Sequence, residues 1–185
     1  MKFRHARRAL TAHALITTAL ATMPAAPSLA DARTGGAAAG KPVQDFGRPG
    51  KARLSRDGRT ALPPPDAPAR VRNAIAAANR ITRKPYRYGG GHASFKDSGY
   101  DCSGTISFAL HGARLLSSPL DSSSFMRWGQ AGRGRWITVY TNPGHAYVLI
   151  AGLRFDTSGP GEKGPRWRKT AARTSGFTAR HPRGF

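Results

Sequence analysis

Between residues 31 and 65 the chain carries almost no large apolar side chain, and this limits where a fold can form. The stretch holds Gly35, Gly36, the Ala37–Gly40 run, Gly47, Gly50, Gly58 and the Pro63–Pro65 run. It cannot bury enough surface to offset the entropy of ordering its own backbone, so 31–65 reads as a flexible linker. The remainder, 66–185, is about 120 residues, enough for one hydrophobic core and not two. No disulfide can brace that core, because Cys102 is the only cysteine. Packing alone must hold the unit together, and it is expected to act as a monomer.

The first thirty residues have a different plan. Lys2, Arg4, Arg7 and Arg8 precede a small apolar run, Ala9–Ala21, and Ser28-Leu29-Ala30 supplies small residues at an exit site. That is the order of a secretory signal peptide; a mitochondrial presequence shares its Arg-rich, acid-poor character. The apolar run is too short, and too interrupted by Thr and Pro, to span a bilayer. Cleavage after residue 30 would remove four positive charges and no acid, leaving 26 Lys and Arg against 9 Asp and Glu. For an exported chain, in the cell envelope or outside it, the matching partners are anionic wall polymers, headgroups or acidic glycans. No groove-reading motif, zinc spacing or aromatic platform points to nucleic acid. A solvated basic surface explains the charge equally well.

Within 66–185, Asp66 can cap a helix whose apolar positions Val71, Ile75 and Ala78 recur at helical spacing. Residues 85–92, "PYRYGGGH", read as an aromatic strand or loop ending in a glycine turn. A second amphipathic helix starts at Cys102, with Ile106, Ala109, Leu110 and Ala113 on one stripe, and breaks near Gly112 or shortly after Leu116. Residues 117–134 form a Ser/Gly-rich connection with one short helical turn near Ser123–Trp128. "RWITVY" (135–140), "HAYVLIAG" (145–152) and "LRFDTS" (153–158) read as strands, the last two a hairpin. Helices followed by strands indicate an α+β fold with helices packed on a small antiparallel sheet. The tail, 159–185, carries seven Lys or Arg and either wraps the sheet or stays loose.

Cys102 opens a helix, with Asp101 as its N-cap. Unpaired backbone N–H groups and the positive end of the dipole favour a thiolate there, and the register aims the sulfur inward with Ile106. A free cysteine can also simply fill a core, so the reading turns on a base. His111 lies roughly 180° around the same helix at ~100° per residue and faces away. His181 sits in the basic tail. His92, in the glycine loop, either approaches the site or serves the loop. His145 opens a strand after "NPG" and shares a face with Tyr147 and Leu149. A cysteine and a histidine so placed make the pair used in covalent acyl transfer. If the following hairpin turns on Ala151-Gly152, Asp156 pairs with Tyr147 and can hold the His145 ring; a shift of one residue brings Thr157 there instead. One cysteine and scattered histidines give no metal-ligand spacing, and no cofactor is implied.

Taken in order, "PYRYGGG", "GYDCSGTISFAL" and "GHAYVLIAG" resemble the NlpC/P60 family of cell-wall cysteine peptidases over about residues 68–158. The resemblance implies a papain-like fold. It makes Cys102 the nucleophile, His145 the base and Asp156 the orienting residue, although the family's third position is commonly His, Asn or Gln. Tyr86, His92, Asp101 and Ser103 would line the substrate cleft, and the Cys102 N–H would help to hold an oxyanion. The implied substrate is a peptidoglycan stem peptide. An amidase or acyltransferase acting on another envelope substrate, and an idle basic wall-binding module, are the alternatives.

Overall fold

The computed structural model describes residues 49–159, 164–169 and 173–185; the expected signal peptide and residues 31–48 of the linker lie outside them. In chain order the elements are β1 (Arg53–Leu54), β2 (Ala61–Leu62), α1 (Ala69–Ile81), α2 (Cys102–Gly112), α3 (Ser122–Phe125), β3 (Gln130–Ala131), β4 (Ile137–Asn142), β5 (His145–Ile150), β6 (Leu153–Asp156), β7 (Arg166–Arg168) and β8 (Thr178–His181). The fold is α+β. The six longer-range strands form one antiparallel sheet in the order β3-β8-β4-β5-β6-β7.

The expected stripe of α2 is what joins helix to sheet. Ile106, Ala109 and Leu110 are fully buried, in one core with Ala146, Val148 and Ile150 of β5 and with Leu153 and Phe155 of β6. Burying a side chain of the size of Ile106 or Leu110 contributes about 1.5–3 kcal/mol. Helix α1 adds Val71, Ala74, Ile75, Ala78 and Ile81 to the same core. No helix among the described residues is long and apolar enough to cross a membrane.

Two sequence expectations fail at the N-terminal side. Residues 49–65 are not flexible linker: β1 and β2 pair as a hairpin, with Ala52 and Ala61 buried. The hairpin gains from α1 what its own composition lacks. The Asn79 side chain accepts from Ala61 N and donates to Ala61 O, both at 2.9 Å, and also accepts from Trp167 Nε1 at 2.8 Å. Asp66 does not cap α1, whose N-cap is Pro68 without a side-chain bond; its carboxylate instead accepts from Gly50 N at 2.9 Å.

The tail completes the sheet, with β7 on one outer edge and β8 beside β4. Its strands, "RWR" and "TARH", have no apolar alternation to announce them. From the same tail, Phe177 packs edge-on to Tyr147 at 5.3 Å, and Arg173 O accepts the Tyr147 hydroxyl at 3.1 Å. The sheet face away from the helices, where Tyr140 stacks on Tyr147, is thereby covered.

The glycine loop is seated against the start of α2. Tyr86 and Tyr100 form a parallel bridge, and Asp101 N donates to Gly90 O at 3.2 Å. A Cβ on Gly104 would stand 2.0 Å from Gly90 O, a backbone atom with little room to retreat. Gly104→Ala is therefore expected to lose ~1–3 kcal/mol in urea denaturation and to shift the start of α2. An unchanged midpoint would refute this close packing.

Candidate active site

Cys102 occupies the first helical position of α2 and Asp101 its N-cap, as the sequence predicts; the Asp101 carboxylate accepts from Gly104 N at 2.7 Å. The sulfur is half-buried and meets Ser122 Oγ at 3.7 Å. The His145 ring and the backbone N–H of Ala146 also lie close enough to act on it as donors. Burial pushes the thiol's pKa up, but these donors and the His145 charge outweigh it, so the net shift is downward.

His145 is positioned by the turn before it. Asn142 Oδ1 accepts from Gly144 N at 3.0 Å and from His145 N at 2.9 Å, and the ring of Phe177 stands edge-on at 6.3 Å. The β5–β6 turn is the one that brings Asp156 into play. Ala151 and Gly152 both have positive φ, the geometry of a tight two-residue hairpin turn. Ile150 pairs with Leu153 and Val148 with Phe155. Continuing that register sets Asp156 opposite Tyr147 and on the face of His145. Thr157 is buried but falls out of line.

His145 Nε2 stands 3.1 Å from Asp156 Oδ1, which leaves Nδ1 for the thiol. The N–H is aimed off the oxygen, so this is an ion-pair contact without a well-aligned hydrogen bond. The carboxylate, then the Cys102 thiol, raise the His145 pKa to about 9 against the opposing effect of burial. Asp156 is itself buried, which alone would raise its pKa. Contact with His145, the Ser158 N–H and the Arg154 guanidinium bring it below the ordinary carboxylate value. Its Oδ1 accepts from Thr157 N at 2.7 Å and Ser158 N at 3.0 Å, and its Oδ2 pairs with Arg154. Arg154 also lies over the Tyr147 ring at 4.7 Å. A lowered thiol beside a raised imidazole favours charge separation between the two, the arrangement that a cysteine nucleophile and its base require.

The thiol opens on a cleft of about 470 Å³, whose lining includes Tyr86, Tyr88, His92, Asp121, Ser122 and Gly144. Tyr86 is 41% and Tyr88 90% exposed. Burial, and then the charges of Cys102 and Asp101, raise the Tyr86 pKa, so its hydroxyl keeps its proton. Asp101 and Ser103 also border the cleft, but both are buried and committed to each other and to the loop. Asp101 accepts from Gly89 N at 3.1 Å and contacts His92 Nε2 at 3.0 Å, and Ser103 Oγ lies 3.2 Å from the same nitrogen. These three do not form a second relay, because both partners use one ring nitrogen whereas a Ser-His-Asp relay needs both. Their effect is to fix the His92 ring in the cleft wall. His111 faces away, stacked on Phe95 at 3.8 Å, and His181 lies on β8, bonded to Gly132 O.

Ser122, the Ala146 N–H, Phe177 and Arg154 do not emerge from sequence reasoning as parts of the site. Ser122 is held there by α3, whose N-cap Asp121 accepts from Ser124 N at 2.6 Å. Arg154 left a signal: two residues before Asp156 on one strand, it must share that residue's face. Among the described residues, no group of three or more His, Cys, Asp or Glu is placed to hold a metal.

Alkylation of Cys102 by iodoacetamide, followed against pH, should reach half its plateau below the free-thiol value of ~8.5. A midpoint at or above that value would show that the His145 contact does not activate the sulfur.

No protein-family model matches the sequence, and no curated protein matches it by sequence. Solved structures do match by fold. The peptidoglycan hydrolase RipB from Mycobacterium tuberculosis superposes with a TM-score of 0.50 at 23% identity, over 65% of this chain and 68% of that one. The P60 domain of an antigen from M. avium subspecies paratuberculosis gives a TM-score of 0.45 at 20% identity, over 60% and 93% of the two chains. An NlpC/P60 family protein from Bacillus cereus gives 0.46 at 18%, over 62% and 40%. The helix-on-sheet architecture is the fold shared with RipB.

Proposed function

We propose that the protein is an exported cysteine peptidase that hydrolyses amide bonds in peptidoglycan stem peptides. The observation that carries this reading is a half-buried thiol at a helix N-terminus beside a histidine whose Nε2 stands 3.1 Å from a buried aspartate. The fold shared with RipB supports the choice of wall material as substrate, and the basic plan of residues 1–30 supports export.

In the proposed reaction the Cys102 thiolate attacks the scissile carbonyl carbon and forms a C–S bond. The oxygen takes up the negative charge. The Cys102 N–H, which has no intrahelical acceptor at the first turn, and the protonated Tyr86 hydroxyl are the donors beside it. His145 then gives its Nδ1 proton to the departing amine as the C–N bond breaks. Neutral His145 next takes a proton from water, the hydroxide attacks the thioester, and the acid product leaves with the thiolate restored. Asp156 holds the ring and stabilises its charged form throughout.

Digestion of purified peptidoglycan, with mass analysis of the soluble fragments, tests this. New amino termini within stem peptides are expected, with a trapped acyl group on Cys102 whose mass is that of a stem-peptide fragment. Fragments released only at the sugar–peptide amide, or an acyl group of other origin, would replace the peptidase reading with that of an amidase or acyltransferase.

A further inference from the structure

Asp156 is offered more donors than a carboxylate can align. Its Oδ1 accepts from Thr157 N at 2.7 Å and Ser158 N at 3.0 Å, and its Oδ2 accepts from Ser158 Oγ at 2.8 Å and from Arg154 Nη2. An ionised carboxylate has about four lone-pair sites, and these donors take them. His145 Nε2, at 3.1 Å from Oδ1, comes as one donor too many and makes no well-aligned bond. Asp156 therefore acts on His145 through its charge, and its orientation is set from the side of Arg154 and the backbone.

Arg154 is itself held independently of His145. Its Nη2 also donates to Ser158 Oγ at 3.0 Å, and its guanidinium, largely buried, lies over the Tyr147 ring at 4.7 Å. Tyr147 is fixed in turn by stacking on Tyr140, by the edge of Phe177 and by its hydroxyl on Arg173 O. Arg154 lies outside the lining of the catalytic cleft, so it reaches the reaction only through its neighbours.

The proposed reaction makes a demand on this pair. The Asp156 side chain is fully buried, and a buried carboxylate without a cation is strongly disfavoured. When His145 passes its Nδ1 proton to the departing amine, the imidazolium beside Asp156 is lost. A guanidinium keeps its charge throughout, because it does not deprotonate in proteins. We propose that Arg154 is a positioning residue of the peptidase reaction, the reading on which this rests: it fixes the Asp156 carboxylate and remains its cation while His145 gives up and regains a proton. Without it, Asp156 would hold the proton on His145 more tightly and make the imidazolium a weaker acid.

The other charged and titratable groups described around the pair leave this role to Arg154. Cys102 of α2, Tyr147 of β5 and Tyr140 of β4 supply no positive charge. From β7, Arg166 stands opposite Asp156 and Arg168 opposite Arg154, and Arg166 donates to Gly164 O at 2.8 Å and to Gly159 O at 3.2 Å. Against the upward push of burial, contact with His145 and its charge, the Ser158 N–H and the Arg154 charge hold the Asp156 pKa down.

The test titrates His145 by the NMR shifts of its ring protons, which needs no substrate, beside the pH profile for cleavage of a short stem peptide. In Arg154→Met the His145 pKa, about 9 in the native protein, should rise by ~1 unit, and the alkaline limb of activity should rise with it. The kcat should fall ~3–10-fold, with KM little changed. Arg154→Lys keeps the charge without the fork, so the limb should stay where it is and kcat should recover in part. A merely structural Arg154 would lower activity with the limb in place; that result in the Met variant, or a limb that moves down, would overturn the proposal. Should Arg154→Met not fold, because it strands a buried carboxylate, Arg154→Met/Asp156→Asn carries the test. There His145 should titrate as in Asp156→Asn alone, and a further shift would show that Arg154 does not act through Asp156. If the His145 titration moves as stated but the native protein cleaves no wall material, the peptidase reading fails and the hold of Arg154 on Asp156 stands.

Discussion

Replacing Cys102 with alanine is expected to abolish the release of soluble fragments from peptidoglycan while leaving the circular-dichroism spectrum and thermal transition unchanged. The sulfur contributes little to the fold: it is half-buried, and its neighbours are Ser122, His145 and the Ala146 N–H. The core of α2 begins below it, at Ile106. Without the nucleophile, His145 and the oxyanion donors have no bond to form, and removing one member of such a unit lowers kcat by ~10⁴-fold or more. Cleavage that survives the substitution would end the peptidase reading. Cleavage lost together with the spectrum would mean instead that the thiol is a core residue.

The second large effect belongs to Asp156. Asp156→Asn keeps the shape, but not the charge, beside His145. Loss of ~10²–10⁴-fold in kcat is expected, as for other orienting carboxylates, and the pH profile should also change. In the native protein the active thiolate–imidazolium pair exists above the lowered pKa of Cys102 and is lost as His145 deprotonates at about 9. Activity should therefore fall on the alkaline side near pH 9. Contact with Asp156 is the largest cause of that raised value, so in the Asn variant the alkaline limb should move to lower pH. With less imidazolium to stabilise the thiolate, the acid limb should move up, and the bell should narrow from both sides. An alkaline limb that stays in place would assign the His145 shift to Cys102 alone.

The same aspartate affects stability in the opposite pH range. Its folded pKa lies below the unfolded value. Its stabilising contribution is thus fully present above the unfolded ~3.9 and is lost as pH falls through the lower folded value. Urea midpoints of the native protein should decline across that acidic window. The Asn variant should start lower and decline less.

Residues 85–158 were legible wherever chemistry and periodicity coincided. The α2 stripe, the His145 strand and its hairpin each carry a local signature. In "GYDCSGTISFAL" the thiol and the core-facing apolar positions sit within one helix of eleven residues and the cap directly precedes it, so neighbours in sequence are neighbours in space. The same logic failed for 49–65. Glycine and proline there predict no core of their own, yet Asn79, far along the chain, supplies the hydrogen bonds that hold the hairpin. It left the tail open between wrapping the sheet and staying loose, because short polar strands there add to sheet edges that other segments created.

The sequence alone determined the cysteine, the helix that presents it, the histidine at a strand start and the order in which they come. It left Asp156 and Thr157 as alternatives, because both readings have the same composition and differ only by one residue of register. The tertiary structure decided between them through the positive-φ turn at Ala151 and Gly152, which sets the strand pairing. It also decided what surrounds them, from Ser122 and Phe177 to the pairing of Arg154 with Asp156. Those contacts join residues from separate elements, and only the packed core fixes the distances between them.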